Sequence, residues 1–176
     1  MTRLAELAEA FGGIDPVLIG AQAANRYMPS RATLDIDFAV GAEDAGLVEV
    51  ALRDHGWTLS GRLAMTGMTG TGWVTGAREQ VDVAYLPPPW GHEAMTTARE
   101  DPMLGVRVVS LPFLVLMKLL AARSKDTGDV EELLINKGRR QLEAVRLAVR
   151  RYGRPDDLED LDQIIQLAGW RAGPQR

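Results

Sequence analysis

The chain contains no cysteine. That absence excludes disulfides, thiolate nucleophiles and zinc or iron–sulfur sites held by thiolate. Histidine is nearly absent too, with only His55 and His92, too few for a histidine-rich metal centre. A metal used by this protein is therefore held by oxygen, which favours hard cations such as magnesium or manganese. No apolar run approaches membrane-spanning length. The opening MTRLAELAEAF reads as an amphipathic helix carrying acids rather than as a signal peptide. A cytoplasmic location and no membrane partner are the expectation. Positive charge is not in excess either: the net charge of -4 argues against a generic, strongly basic nucleic-acid binder, though not against a local basic face.

What is present suits an ordinary globular protein. With 46% hydrophobic and 25% charged residues over 176 positions, the chain has enough apolar material for a core and no compositional sign of disorder. No internal repeat or low-complexity segment interrupts it. After the first helix, PVLIG (residues 16–20) reads as a short strand and AQAANRYM as a helix starting directly behind Gly20. RATLDIDFAV then gives a strand over Thr33 to Val40. In EDAGLVEVALRDHG, Leu47, Val48, Ala51 and Leu52 form a helical stripe that Gly56 ends. From Trp57 the period changes to that of strands, in WTLSGRL, GWVTGA and EQVDVAYL. The glycine–threonine stretch TGMTGTGWVTG is most simply a hairpin, with a mobile substrate flap as the lesser reading. PPPWG is a rigid break followed by an ill-defined segment, and GVRVVS is one more strand. From Leu111 onward the pattern is helical, with Ser110 placed to cap the first helix. These elements predict an α/β (α+β) fold with a mixed sheet in residues 1–110. A helical lobe, 111–176, packs on it within one compact unit.

Chemistry concentrates in the strand with two acids. Alternation puts Leu34, Ile36, Phe38 and Val40 on one face and Asp35 and Asp37 together on the other. Two carboxylates on one wall repel each other and need a cation or a hydrogen-bond network to compensate them. A second Asp-x-Asp, Asp160 and Asp162, falls in a helical pattern, where a spacing of two splays the side chains apart. Asp82 sits on the polar side of VDVAYL. If the two strands are neighbours, three carboxylates converge, enough to hold two divalent cations about 3.5 to 4 Å apart for in-line phosphoryl displacement.

VLIGAQA, RATLDIDFAV and VDVAYL together have the order and spacing of the nucleotidyltransferases of the DNA polymerase β superfamily. There a Gly-[Gly/Ser] turn precedes an Asp-x-Asp/Glu strand and a later third acid. The following SLPFLVLMKLLAARSKDTGDVEELL resembles the AbiEii-like subgroup, with a lysine-bearing helix and then a Lys-Asp-x-x-Asp turn. The resemblance spans roughly residues 16 to 135, most of a domain of ordinary size. It implies that Asp35 and Asp37 ligate both of two magnesium or manganese ions, and that Asp82 ligates the catalytic one and activates the acceptor hydroxyl. It places Gly20 and Ala21 at the β/γ-phosphates of a nucleoside triphosphate, Lys118 as a point charge toward the triphosphate, and Asp126 at the edge of the site. Ala21 departs from the family: it keeps the amide but has neither a serine hydroxyl nor glycine's latitude.

Other residues keep two readings. The Gly20-Ala21 turn by itself is only a strand-to-helix turn, and Lys118 in an apolar helix is also a residue that snorkels to the surface. Asp129, three residues before Glu132, reads as a helix cap. Arg31 and Thr33 are either phosphate or acceptor contacts or ordinary loop residues. Arg139, Arg146 and Arg150 form one helical stripe, flanked by Arg140 and Arg151, which is either an RNA-backbone contact or a solvated face. The resemblance implies transfer of a nucleoside monophosphate from a triphosphate to a hydroxyl acceptor, with release of pyrophosphate, in a toxin–antitoxin or phage-defence setting. RNA, with tRNA 3′ ends first, is the favoured acceptor because of the arginines, and a cognate antitoxin protein is a candidate partner. A catalytically attenuated nucleotide-binding module of the same fold and a metal-dependent phosphohydrolase remain as alternatives.

Overall fold

In the computed structural model, residues 2–121 and 124–172 are described, leaving aside the side chains of Met65, Ser124, Lys125, Asp126 and Ala172. In chain order the elements are α1 (Arg3–Glu9), β1 (Val17–Leu18), α2 (Gly20–Ala24), β2 (Asp37–Gly41), a 3-10 turn (Ala42–Asp44), α3 (Ala45–Asp54), β3 (Thr58–Met65), β4 (Met68–Val74) and β5 (Gln80–Leu86). They continue with α4 (Trp90–Thr97), β6 (Arg99–Asp101), β7 (Val106–Val108), α5 (Leu111–Ala121), α6 (Ser124–Leu134), α7 (Arg139–Tyr152) and α8 (Asp157–Ala172). The chain divides into two units. One takes the residues up to Ala23 and then Arg31–Ser110; the other takes Ala24–Ser30 and the residues from Leu111 onward.

The first unit is built on a seven-stranded mixed sheet in the order β3-β4-β5-β2-β1-β7-β6. β2 lies at its centre, parallel to β5 and antiparallel to β1. A parallel neighbour requires a crossover, here supplied by α3 and the β3–β4 hairpin. That hairpin turns at Gly67, whose φ of +76° suits glycine. Helix α1 packs on β7, α3 on β3, and α4 on β2 and β5. At the end of α1, Phe11 meets Phe38 of β2 edge to face, with ring centroids 5.3 Å apart. Because β2 is central, Phe38, Ala39 and Val40 are all buried, and its alternation of faces is lost after Asp37.

Three expectations are corrected here. The acid strand begins at Asp37 rather than Thr33, and Leu34 is 95% exposed instead of sharing the buried face. The ladder ends because its neighbour does: β1 turns into α2 at Gly20, so residues 33–36 have no antiparallel partner on that side. On α3, Val48 and Leu52 are buried, but Leu47 is 65% exposed. It lies about 100° around the helix from Val48, off the narrow stripe that packs on the sheet. The segment after the prolines is not ill-defined. It is α4, which starts at Trp90 directly behind Pro89, a position that tolerates proline because the first helical amides have no intrahelical partner. Gly91 lets that first turn approach the end of β5, since a Cβ there would lie 2.4 Å from the Leu86 carbonyl oxygen.

In the second unit α5 packs on α6 and α7, and α8 on α6 and α7. Helix α5 is apolar nearly all round, and Phe113 through Leu120 are buried without a break, as expected of a central helix. α7 follows the amphipathic pattern. Val145, Ala148 and Val149 are buried, and Arg139, Arg140, Arg150 and Arg151 are exposed.

Candidate active site

The strand register brings Asp37 and Asp82 together. In the parallel pairing of β2 and β5 these two are direct partners, and the Asp82 amide donates to the Ile36 carbonyl at 2.9 Å. Neighbouring strands lie about 4.8 Å apart, so the two carboxylates stand side by side at one end of the parallel pair. On the other side of β2 the Ile19 amide donates to the Asp37 carbonyl at 2.9 Å, and the chain then turns into α2. The backbone of Asp37 is thus fixed from both neighbours.

Asp35 precedes the strand and is exposed, with its carbonyl accepting from the Gln22 side-chain amide at 3.3 Å. Its charge reaches the pair. Burial raises the pKa of Asp82 above the ordinary carboxylate range, a hydrogen bond with the Gln80 side chain partly offsets this, and the negative charge of Asp35 raises it further. Hard oxygen donors under mutual repulsion are the chemistry that a divalent cation relieves, and in this respect the residues fit one. Among the described residues, however, no three acids, histidines or cysteines are gathered closely enough to hold a metal ion as they stand. The strand pair is built in; Asp35 is the member outside it.

Two glycines make room for this arrangement. Gly20 has a φ of +66°, and a Cβ there would fall 2.0 Å from Asp37 Oδ2, 2.6 Å from its Cγ and 2.9 Å from its Cβ. The carboxylate of Asp37 therefore lies directly over the Gly20 backbone. Gly72 of β4 does the same on the far side, where a Cβ would be 3.1 Å from Asp82 Oδ1 and 2.8 Å from Ser60 Oγ. Ser60 sits at an irregularity in the β3–β4 register, between Leu59 and Gly61. Gln22, Ser60 and Gly72 were not singled out from the sequence. Only topology brings them near the acids, and no motif spacing marks them.

Ala21 is half-buried within α2, a helix of five residues. Arg31 is exposed and Thr33 half-buried in the segment leading to Asp35. Lys118, Asp129 and the arginines belong to the second unit. Lys118 does not snorkel. It is 9% exposed and its Nζ lies 2.6 Å from Asp129 Oδ2, which is also buried. Asp129 is not a cap, because α6 begins at Ser124 and leaves it in mid-helix, facing α5 through this ion pair. The side chain of Asp126 lies outside the described residues. Of the arginine stripe, Arg139 pairs with Glu143 at 2.8 Å and Arg146 with Asp162 of α8 at 2.7 Å, while Arg150 is exposed.

No protein-family profile matches the sequence, and no curated protein matches it. Solved structures do. The solution structure of the antibiotic-resistance factor ANT(2'')-Ia aligns with a TM-score of 0.50 at 17% identity, over 96% of this chain and 89% of that one. A crystal structure of ANT(2'')-Ia in complex with adenylyl-2''-tobramycin gives 0.49 at 18% identity, over 95% and 94%. The Megavirus polyadenylate synthase gives 0.46 at 14% identity, over 85% of this chain and 31% of that one. At such identities the likeness is one of fold. The mixed sheet and its helices have a polymerase-β-type fold.

Proposed function

We propose that the protein is a metal-dependent nucleotidyltransferase that moves a nucleoside monophosphate from a nucleoside triphosphate to a hydroxyl acceptor and releases pyrophosphate. The observation that carries this reading is the pairing of Asp37 with Asp82 on adjacent parallel strands, beside the Gly20 turn, in this fold. Asp35, Asp37 and Asp82 would hold two magnesium or manganese ions, with Asp35 drawn in from the segment ahead of the strand. When bound, such ions neutralise the charge of the triphosphate and of the departing pyrophosphate.

The residues themselves divide the remaining work. Asp82 has a raised affinity for protons, which suits a group that takes the proton of the acceptor hydroxyl as its oxygen attacks the α-phosphorus. The amides of Gly20 and Ala21, at the start of α2, are assigned to the β- and γ-phosphates. Arg31 and Thr33 precede Asp35 and are assigned to phosphate or acceptor. Lys118 toward the triphosphate and Asp126 at the edge of the site rest on the family resemblance alone. So does the AbiEii-like, toxin–antitoxin setting with a cognate antitoxin partner. RNA, with tRNA 3′ ends first, is proposed as the acceptor on the strength of the exposed arginines of α7. The ion pairs of Arg139 and Arg146 compete with that contact.

The test incubates the protein with each α-labelled triphosphate, magnesium and total RNA. Label on RNA with release of pyrophosphate, abolished by Asp37→Ala, is the expected result. Release of inorganic phosphate without label transfer would identify a phosphohydrolase instead, and triphosphate binding without turnover would identify an attenuated binding module.

A further inference from the structure

The second unit holds a cavity of about 440 Å³ for which the proposed transfer has no use. Its walls come from three stretches of chain: Arg26 and Tyr27 behind α2, Glu132, Asn136 and Lys137 at the end of α6, and Arg171 in the last turn of α8. The geometry holding them together is specific. Asn136 has a φ of +59°, a left-handed conformation that asparagine tolerates better than most residues, and it turns the chain sharply after α6. The next residue, Lys137, then donates from Nζ to the Tyr27 carbonyl at 2.5 Å, tying the loop to the helix end. Arg171 Nη1 bonds Glu131 Oε1 at 3.2 Å and holds the end of α8 against the same helix.

The lining carries three cations and Glu132, and with Glu131 paired to Arg171 beside it the cations still outnumber the carboxylates, in a protein whose net charge is negative. The carboxyl end of α6 adds partial negative charge of its own, which Lys137 and Arg171 oppose. A positive recess with an aromatic ring, a carboxamide and a carboxylate has the chemistry for a phosphate joined to a flat heterocycle. Arginine and lysine take the phosphate, the ring takes a base face, and amide and acid meet polar base or sugar edges. The volume lies at the small end of ligand pockets, about 300 to 1,000 Å³, room for one nucleotide rather than a folded strand. We propose that this cavity binds a single nucleotide unit, with Arg26, Lys137 and Arg171 on its phosphate and Tyr27 against its base. The unit is either a free nucleotide or one residue of an RNA strand. This assignment does not depend on the transfer reaction.

The experiment uses the full chain in EDTA, without triphosphate, so that failure of the transfer reading cannot be confused with failure of this one. The four nucleoside 5′-monophosphates are titrated by calorimetry and a short fluorescein-labelled oligoribonucleotide by anisotropy. Saturable binding is expected. Arg26→Gln and, separately, Lys137→Gln should weaken it at least about tenfold, and each should lower the slope of log affinity against log salt for the oligoribonucleotide by about one. Thermal melts of both variants confirm that they fold. Weakened binding of both probes makes a free nucleotide sufficient; weakened binding of the oligoribonucleotide alone assigns the site to an RNA strand. No saturable binding of either probe, or affinity unchanged in both variants, overturns the proposal.

Discussion

Gly20→Ala separates the two reasons a glycine occupies that position. The first is backbone strain: at a φ of +66° a side chain costs about 1 to 2 kcal/mol. The second is contact with Asp37. Rotating χ1 of Asp37 moves Oδ2 and Cγ out of the way, but it leaves the Asp37 Cβ, 2.9 Å from the new methyl, where β2 holds it. Relief therefore needs a backbone shift in β2 or α2, at a cost typical of overpacking, about 1 to 3 kcal/mol. Gly13→Ala is the control, because Gly13 also has positive φ, +87°, but nothing lies within 4 Å of its missing Cβ. Both substitutions reduce the freedom of the unfolded chain equally, by less than about 1 kcal/mol, so that effect cancels in the comparison. The expectation is that Gly20→Ala costs about 2 kcal/mol more than Gly13→Ala, a further fall in Tm of about 4 to 8 °C for a chain of this length. Urea or thermal unfolding measures the difference. In the labelled-triphosphate assay, Gly20→Ala should lose transfer while Gly13→Ala keeps it. Equal melting temperatures for the two variants would refute the contact argument, and full transfer by Gly20→Ala would refute the place of Asp37 in the site.

Further perturbations follow from the same geometry. Asp82→Asn removes a carboxylate that burial and Asp35 both disfavour, so it should abolish transfer and yet raise the Tm of the protein in EDTA. Lys118→Met removes the ammonium that pairs with the buried Asp129 and should destabilise the protein, by up to about 3 to 5 kcal/mol, whereas Lys118→Met with Asp129→Leu should recover much of that loss in a double-mutant cycle. The hydrogen bond from Arg62, aided by Arg53, lowers the pKa of Glu49. A depressed carboxylate pKa gives stability that is present above the unfolded value and lost as pH falls through the folded one. Urea midpoints measured from pH 7 downward should therefore fall less in Glu49→Gln than in the parent, and at neutral pH the substitution should cost under about 1 kcal/mol, because both arginines are largely exposed.

The legible part of the site was the part encoded locally. A strand, a glycine turn and two acids at a spacing of two are neighbours in sequence. Asp82 could be added because its strand repeats the same alternation, and the register then sets it directly opposite Asp37. What stayed hidden depends on contacts that no periodicity carries. Leu34 looks like a core residue by alternation, and only the early end of β1 leaves it in solvent. Asp129 has a capping residue's identity and spacing, but α6 begins five residues sooner and gives it to Lys118 across the helix pair. Helix α4 hid behind three prolines that read as a break and in fact precede its first turn.

Gly20 shows why the distinction matters for function. From sequence its role is permissive, a backbone that lets a phosphate approach, and on that view Ala21 is the residue in question because it departs from the Gly-[Gly/Ser] pattern that the turn resembles. The structure adds a second demand at Gly20 itself. The Asp37 carboxylate occupies the space where a side chain would be. The turn and the acid strand are therefore mutually required: the glycine positions the carboxylate whether or not a phosphate is bound. At position 21 alanine keeps its amide, so on the proposed reading its departure bears on how tightly the triphosphate is held, while Gly20 decides whether the Asp37 carboxylate has its place.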